Sequence, residues 1–98
     1  MVEYHQAETV KELSRFQIEL LAIANTMDEP SGQDIRRAYD DVAQASTNHG
    51  RLYPNLKELV EVGCVTKGEI DDRTNYYECS DKGREALEAH AGFIGECL

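Results

Sequence analysis

Arg51, Tyr53, Asn55 and Lys57 crowd around Pro54 in the stretch "NHGRLYPNLKELVEVG", Asn48 to Gly63. An arginine fork can make a bidentate contact to a guanine edge, a lysine ammonium neutralises phosphate, and the positive end of a helix favours an anion beside it. His49, just ahead, is a further candidate for a phosphate contact; a solvent-exposed loop histidine would read the same way. Such chemistry needs these side chains on the outward side of a helix. Leu52, Leu56, Leu59, Val60 and Gly63 recur at the spacing of an inward helical face. At about 100° per residue, the opposite side carries Arg51, Pro54, Lys57, Glu58 and Glu61, with Tyr53 and Asn55 at its borders. A proline inside a helix costs about 3 kcal/mol, so the helix is expected to begin near Gly50 or Arg51. That leaves "RLYPN" as an opening turn, where a missing N–H has no partner to lose.

The elements that must position this helix lie on either side. "LSRFQIELLAIANTM" places Phe16, Leu20, Ile23, Ala24 and Met27 on one helical face, ending before "DEP". Ile18 and Leu21 fall off that face and are read as a possible subunit interface, with scattered surface apolars as the alternative. "EPSGQDIRRAYDDVAQAS" opens with Ser31 and Asp34 in a loose capping-box pattern and continues with Ile35, Ala38, Tyr39 and Val42 at helical spacing. The outward side of this second helix carries Arg36 and Arg37. Past Gly63 the period changes: "CVTKGEI" and "NYYEC" are rich in β-branched and aromatic residues, and "DDRT" between them is a polar turn, so the pair reads as a β-hairpin. Ser80 then caps a last helix with Leu87, Ala91, Ile94 and Leu98 on one stripe and the small residues Ala86, Ala89 and Gly92 beside it.

The fold class expected is α+β, mainly α: a winged helix-turn-helix of three helices, a hairpin wing and a C-terminal helix. A single domain spans residues 1–98, with an N-terminal arm at 1–13, a winged-helix core at 14–79 and a dimerisation helix at 80–98. The subunit contacts expected are Ile18 and Leu21 with Leu87, Ala91, Ile94 and Leu98, in a homodimer that reads paired half-sites.

Charge cuts both ways. The chain has 98 residues with 19 acidic and 10 basic side chains, a formal net charge of -9, and only four lysines. A lysine-poor acidic surface suits molar salt, where the Debye length falls to about 3 Å; it also suits a DNA mimic or a partner of basic proteins. Yet six of the ten basic residues, Arg36, Arg37, Arg51, Lys57, Lys67 and Arg73, lie on the second helix, the third helix or the hairpin, the elements that would face a duplex. Asp71 and Asp72 adjoin Arg73 at the hairpin tip, so the wing is not simply basic.

These residues resemble a known family. "GRLYPNLKELVEVGCV" looks like the recognition-helix signature of PadR-like winged-helix transcriptional regulators, through Gly50, Leu52, Tyr53, Pro54, Leu56, Leu59 and Gly63. "RTNYYECSDKGREAL" is similar to the family's wing strand and following helix start, through Arg73, Tyr76, Tyr77, Ser80, Gly83, Arg84 and Leu87. The likeness covers about residues 14–98, and the acidic version looks haloarchaeal. Arg51 stands where the family usually has a small hydroxyl residue, Cys79 where it has leucine, and the C-terminal helix is shorter than in many members. The resemblance implies a homodimeric DNA-binding regulator, a repressor, with double-stranded DNA as partner.

Other classes find less support. No glycine-rich phosphate loop, HExxH or nucleophile arrangement is present, so no enzyme, metal or cofactor is expected. Cys64, Cys79 and Cys97 are an odd number without CxxC spacing and read as small buried apolar residues, a redox-responsive thiol being the minor alternative. No apolar run approaches the ~20 residues that cross a bilayer, and "MVEYHQAETVKEL" is too acidic for a signal peptide, so a cytoplasmic protein is expected. The rival reading is a winged helix that binds protein.

Overall fold

A computed structural model describes residues 13–98; the arm expected at 1–13 lies, Leu13 apart, outside the described residues. Three helices come first: α1 (Arg15–Ala24), α2 (Gly32–Ala43) and α3 (His49–Glu61). Then follow β1 (Val65–Asp71), β2 (Thr74–Cys79) and α4 (Asp81–Glu96).

Each helix starts at a side chain that accepts from one of its free N–H groups. Ser14 and Gln17 form a reciprocal capping box on α1, and Ser31 and Asp34 form the one expected on α2. Asn48 accepts from the Arg51 N–H at 2.9 Å to open α3. Ser80 does the same for α4 through Gly83, and its hydroxyl donates to the Gly63 carbonyl at 2.6 Å, which ties the start of α4 to the end of α3. Gly63 is the turning point there, with φ at +84°.

Two helix boundaries differ from the sequence expectation. α1 ends at Ala24, and Met27 is left in a turn in which its N–H reaches the Ala24 carbonyl. α3 begins at His49, so Pro54 stands in the second turn, not the first. Its missing N–H would have served the carbonyl of Gly50, four residues back. The cap at Asn48, which periodicity does not reveal, starts the helix one or two residues ahead of the expected Gly50 or Arg51.

Leu20, Leu21, Ile35, Leu52, Leu56, Leu59 and Cys64 are fully buried where the three helices meet the base of the hairpin. Leu21 is 0% exposed and packs inside the hydrophobic core of one subunit, which corrects its assignment to a subunit interface, whereas Ile18, 8% exposed, lies outside that core cluster. An α1 surrounded by α2, α3, α4 and β2 has a buried arc wider than the single stripe expected of it. Val42 is exposed, because its face of α2 runs on past the edge of the core.

β1 and β2 pair antiparallel from Val65↔Cys79 to Asp71↔Thr74, with an irregularity between Glu69 and Asp71. Asp71 accepts from the Arg73 N–H at 2.9 Å and stabilises the tight turn. The wing is fastened to the helices: Tyr76 bridges Ser31, and the Tyr77 N–H donates to the Pro30 carbonyl at 2.8 Å. Leu87 packs against the core from α4, whereas Ala91, Phe93 and Ile94 on its outer turns and Leu98 just past its end are exposed.

Candidate nucleic-acid interface

With Leu52, Leu56 and Leu59 inward, helical geometry puts Gly50, Pro54, Lys57 and Glu61 on the opposite crest of α3. All four are exposed. The residues between crest and core are held by side chains of the neighbouring helices.

On the α1 flank, Gln17 is buried and all of its hydrogen-bonding groups are used. Its Oε1 accepts from the Ser14 N–H at 2.9 Å, and its Nε2 donates to Asn55 Oδ1 at 3.0 Å and Glu58 Oε1 at 2.7 Å. Asn55 in turn donates through Nδ2 to the Arg51 carbonyl at 2.8 Å. The Arg51 guanidinium lies 3.8 Å from the centroid of the Phe16 ring, and Phe16 packs edge-on against Tyr39 at 5.2 Å. Beside them Tyr39 donates to Glu19 at 3.1 Å, and Arg15 pairs with Glu19 at 2.9 Å. The Arg15 hydrogen bond, with those of Tyr39 and the nearby Arg51 charge, holds the Glu19 carboxyl below its ordinary range, while burial pushes the Tyr39 phenol up.

On the α2 and wing flank, a second glutamine has the corresponding role. Gln33 Nε2 lies 3.1 Å from Tyr53 Oη and 3.2 Å from His49 Nε2, while its Oε1 accepts from Arg36 Nε at 2.8 Å. The Tyr53 ring lies against Gly32, where a Cβ would come within 2.7 Å of Cε1. His49, Tyr53 and Tyr77 line up as an aromatic series with centroid separations of 5.7 and 6.3 Å, and the Lys67 ammonium stands 5.8 Å over the Tyr77 ring. Behind this flank Asp40 accepts from the Thr47 hydroxyl at 2.7 Å and from the Thr47 N–H, pinning the loop between α2 and α3. The Thr47 hydroxyl first, then its N–H and Arg36, hold the Asp40 carboxyl below its ordinary range.

The ten candidate contacts therefore divide into groups. Pro54 and Lys57 are on the crest. Arg51 and Asn55 are turned to the α1 flank, while His49, Tyr53 and Lys67 share the wing flank. Arg36 stands behind Gln33, paired with Asp40 at 3.3 Å, and Arg37 pairs with Asp34 at 3.6 Å. Arg73 is at the wing tip. Among the described residues, Arg51, Lys57, Lys67 and Arg73 have no carboxylate within 4.0 Å. Gln17 and Gln33 were not singled out by sequence. The Ser14-x-x-Gln17 capping pattern was a usable signal for the first; nothing in local spacing marks the second.

Cys64 and Cys79 are buried, and burial pushes both thiols up, away from the reactive thiolate; Cys97 is exposed. No helix among the described residues is long and apolar enough to cross a membrane.

A three-helix core, a wing fastened to the loop ahead of α2, and a third helix with an outward crest define a winged helix-turn-helix protein. The chain belongs to the PadR-like family of transcriptional regulators, whose family model matches residues 20–89. Solved structures of a haloarchaeal protein have the same fold. The complex structure of hsRosR-S4 superposes with a TM-score of 0.84 at 32% identity, covering 91% of this chain and 76% of that one. The complex structure of hsRosR-S1 gives 0.80 at 34% identity, covering 87% and 75%. RosR of H. salinarum grown from NaBr gives 0.78 at 35% identity, covering 85% and 74%. No curated protein matches the chain. The fold and family are those of DNA-binding transcription regulation, with the acidic composition of a halophilic protein.

Proposed function

We propose that the chain is a cytoplasmic, homodimeric repressor that lays the crest of α3 in the major groove of double-stranded DNA, with the wing alongside. The observation that carries this reading is the division of α3: both flanks are pinned by glutamines, and the crest of Gly50, Pro54, Lys57 and Glu61 is left to solvent. Lys57 on that crest and Lys67 and Arg73 on the wing supply cations for phosphate. Dimerisation falls to the outer turns of α4 and the residues just past it, where Phe93 is 67% and Leu98 99% exposed. Two such subunits would place two copies of α3 about one helical turn of DNA apart.

One observation favours a second reading, a winged helix that binds a basic protein: Arg36 and Arg37 are matched by Asp40 and Asp34 within their own helix. A titration of the protein with random and genomic duplex, at low and at molar potassium chloride, separates the two. Saturable binding that prefers some genomic fragments supports the regulator; no binding under either condition rejects it. Repression is then tested by transcription in vitro from a preferred fragment, where added protein should lower the transcript.

A further inference from the structure

The amide of Gln33 is oriented by a group that can only donate. Arg36 Nε lies 2.8 Å from Gln33 Oε1, and a guanidinium has no acceptor, so the oxygen is the atom that faces it. The NH2 group is therefore turned to α3, where its two hydrogens meet Tyr53 Oη at 3.1 Å and His49 Nε2 at 3.2 Å. An imidazole nitrogen accepts only when the ring is neutral and its proton is on the other nitrogen. Reversing the amide to suit the opposite tautomer would set NH2 against Arg36 Nε, donor against donor. Arg36 is itself held by Asp40 at 3.3 Å, so the relay Asp40, Arg36, Gln33, His49 runs in one direction.

We propose that Gln33 is a positioning residue for the first turn of α3, holding His49 as the neutral Nδ1–H tautomer so that this side chain meets DNA as an uncharged hydrogen-bond donor. The proposal rests on α3 being the DNA-facing helix. Among the described residues Nδ1 has no hydrogen-bond partner, so its N–H is the donor left over. Tyr53 stands edge-on to the ring from its own helix, Gln33 reaches it from α2, and among the described residues no carboxylate lies within 4.0 Å of it. A neutral donor releases no counterion, so its share of affinity is independent of salt, unlike that of Lys57.

The test has one arm without DNA and one with it. In the full chain at neutral pH and molar potassium chloride, the imidazole nitrogen-15 shifts of His49 should show the Nδ1–H form. Gln33→Glu, which keeps an acceptor for Arg36 but loses the donor, should abolish the Nδ1–H form, the ring then giving its Nε2 hydrogen to the new carboxylate as the Nε2–H tautomer or as the imidazolium, while the circular dichroism spectrum is unchanged. A wild-type Nε2–H form, or a tautomer indifferent to Gln33→Glu, overturns the proposal. With duplex, His49→Ala should weaken binding about threefold to tenfold, the range of one ordinary hydrogen bond, without changing the salt slope. Gln33→Leu should lose a similar factor, and the double variant little more than either alone. A reduced salt slope in His49→Ala, unchanged affinity, or simple additivity overturns it. Should the wild type bind no duplex, the DNA-facing role of both residues falls with the proposed function, and the tautomer spectrum then shows whether Gln33 sets the polarity of the ring.

Discussion

Gln17 Nε2 lies 3.0 Å from Asn55 Oδ1, a direct amide-to-amide contact between α1 and α3. The same nitrogen reaches Glu58, and the side-chain oxygen closes the cap of α1, so one buried residue serves three partners. Gln17→Leu keeps the volume and removes all three bonds. It should cost about 0.5–1.5 kcal/mol, the net worth of an ordinary hydrogen bond, because Ser14 and Glu58 are exposed and Asn55 is half-buried, so water can reach the partners left behind. In a domain of this size that lowers the melting temperature by roughly 4–8 °C per kcal/mol. An unchanged thermal melt would show that water replaces the amide without loss.

Arg51 and Lys57 should separate stability from recognition. Arg51 stacks on Phe16, so Arg51→Ala should lose about 0.5–1 kcal/mol of folding stability, the worth of an exposed cation–π contact. Lys57 stands on the crest, and Lys57→Ala should stay within about 0.5 kcal/mol in stability. The same change should weaken binding to all duplexes alike and lower the salt slope by about 1. Denaturant melts and DNA titrations on both variants check the contrast, and equal stability losses would remove it.

Acid should loosen the loop ahead of α3. The Asp40 carboxyl is held below its ordinary range in the folded chain, so its contribution is fully present above the unfolded value and is lost as pH falls through the folded one. Glu19 has the same sign. Wild type should therefore be more stable than Asp40→Asn at neutral pH, and the gap should close below about pH 4, the ordinary aspartate value. Melting temperatures of both proteins against pH measure it; a gap that widens with acid would contradict the assignment.

The outer turns of α4 should assemble two subunits. Phe93, Ile94 and Leu98 are exposed on one chain, and burying each large apolar side chain contributes about 1.5–3 kcal/mol. Sedimentation at molar potassium chloride should give a dimer, and Phe93→Glu or Ile94→Glu a monomer with unaltered circular dichroism. A monomeric wild type would transfer half-site pairing to some other surface.

Salt should act on affinity in an unusual direction. Between Ser14 and Cys79 the chain has seven basic and twelve acidic residues, and Arg36 and Arg37 are already paired. Screening of long-range repulsion then offsets the counterion release that weakens a basic regulator. Affinity should stay level or rise with potassium chloride, and Glu61→Gln should make the slope more negative. A fall as steep as that of a basic regulator would limit the acidic surface to solubility.

The element order was legible because each boundary has a local chemical cause. Ser31 with Asp34 and Ser80 with Gly83 are caps that act within four residues, and the tight turn at Arg73 is set by Asp71 two residues before it. The inward face of α3 was legible for the same reason, since Leu52, Leu56 and Leu59 repeat at the helical period. What spacing could not show was the reach across elements. Leu21 was assigned outward because a single stripe ignores how many neighbours surround α1. Helical angle puts Arg51 on the outward side and Asn55 at its border, whereas contacts with Phe16 and Gln17, which angle alone cannot show, hold both on the α1 flank. Gln33 was invisible because its partners, His49 and Tyr53, are brought to it only by the packing of α3 against the start of α2.

The separation of flank from crest on α3 also bears on how such a regulator can diverge. Gly50, Pro54, Lys57 and Glu61 touch neither the core nor the two glutamines, so they can be exchanged at little cost to folding, while Gln17 and Gln33 keep the helix from rolling or sliding when they are. If the crest reads the operator, a duplicated copy could acquire a new one by changes at four surface positions on an unaltered frame. Substitutions at Asn55 or Tyr53 would first have to survive the loss of that frame.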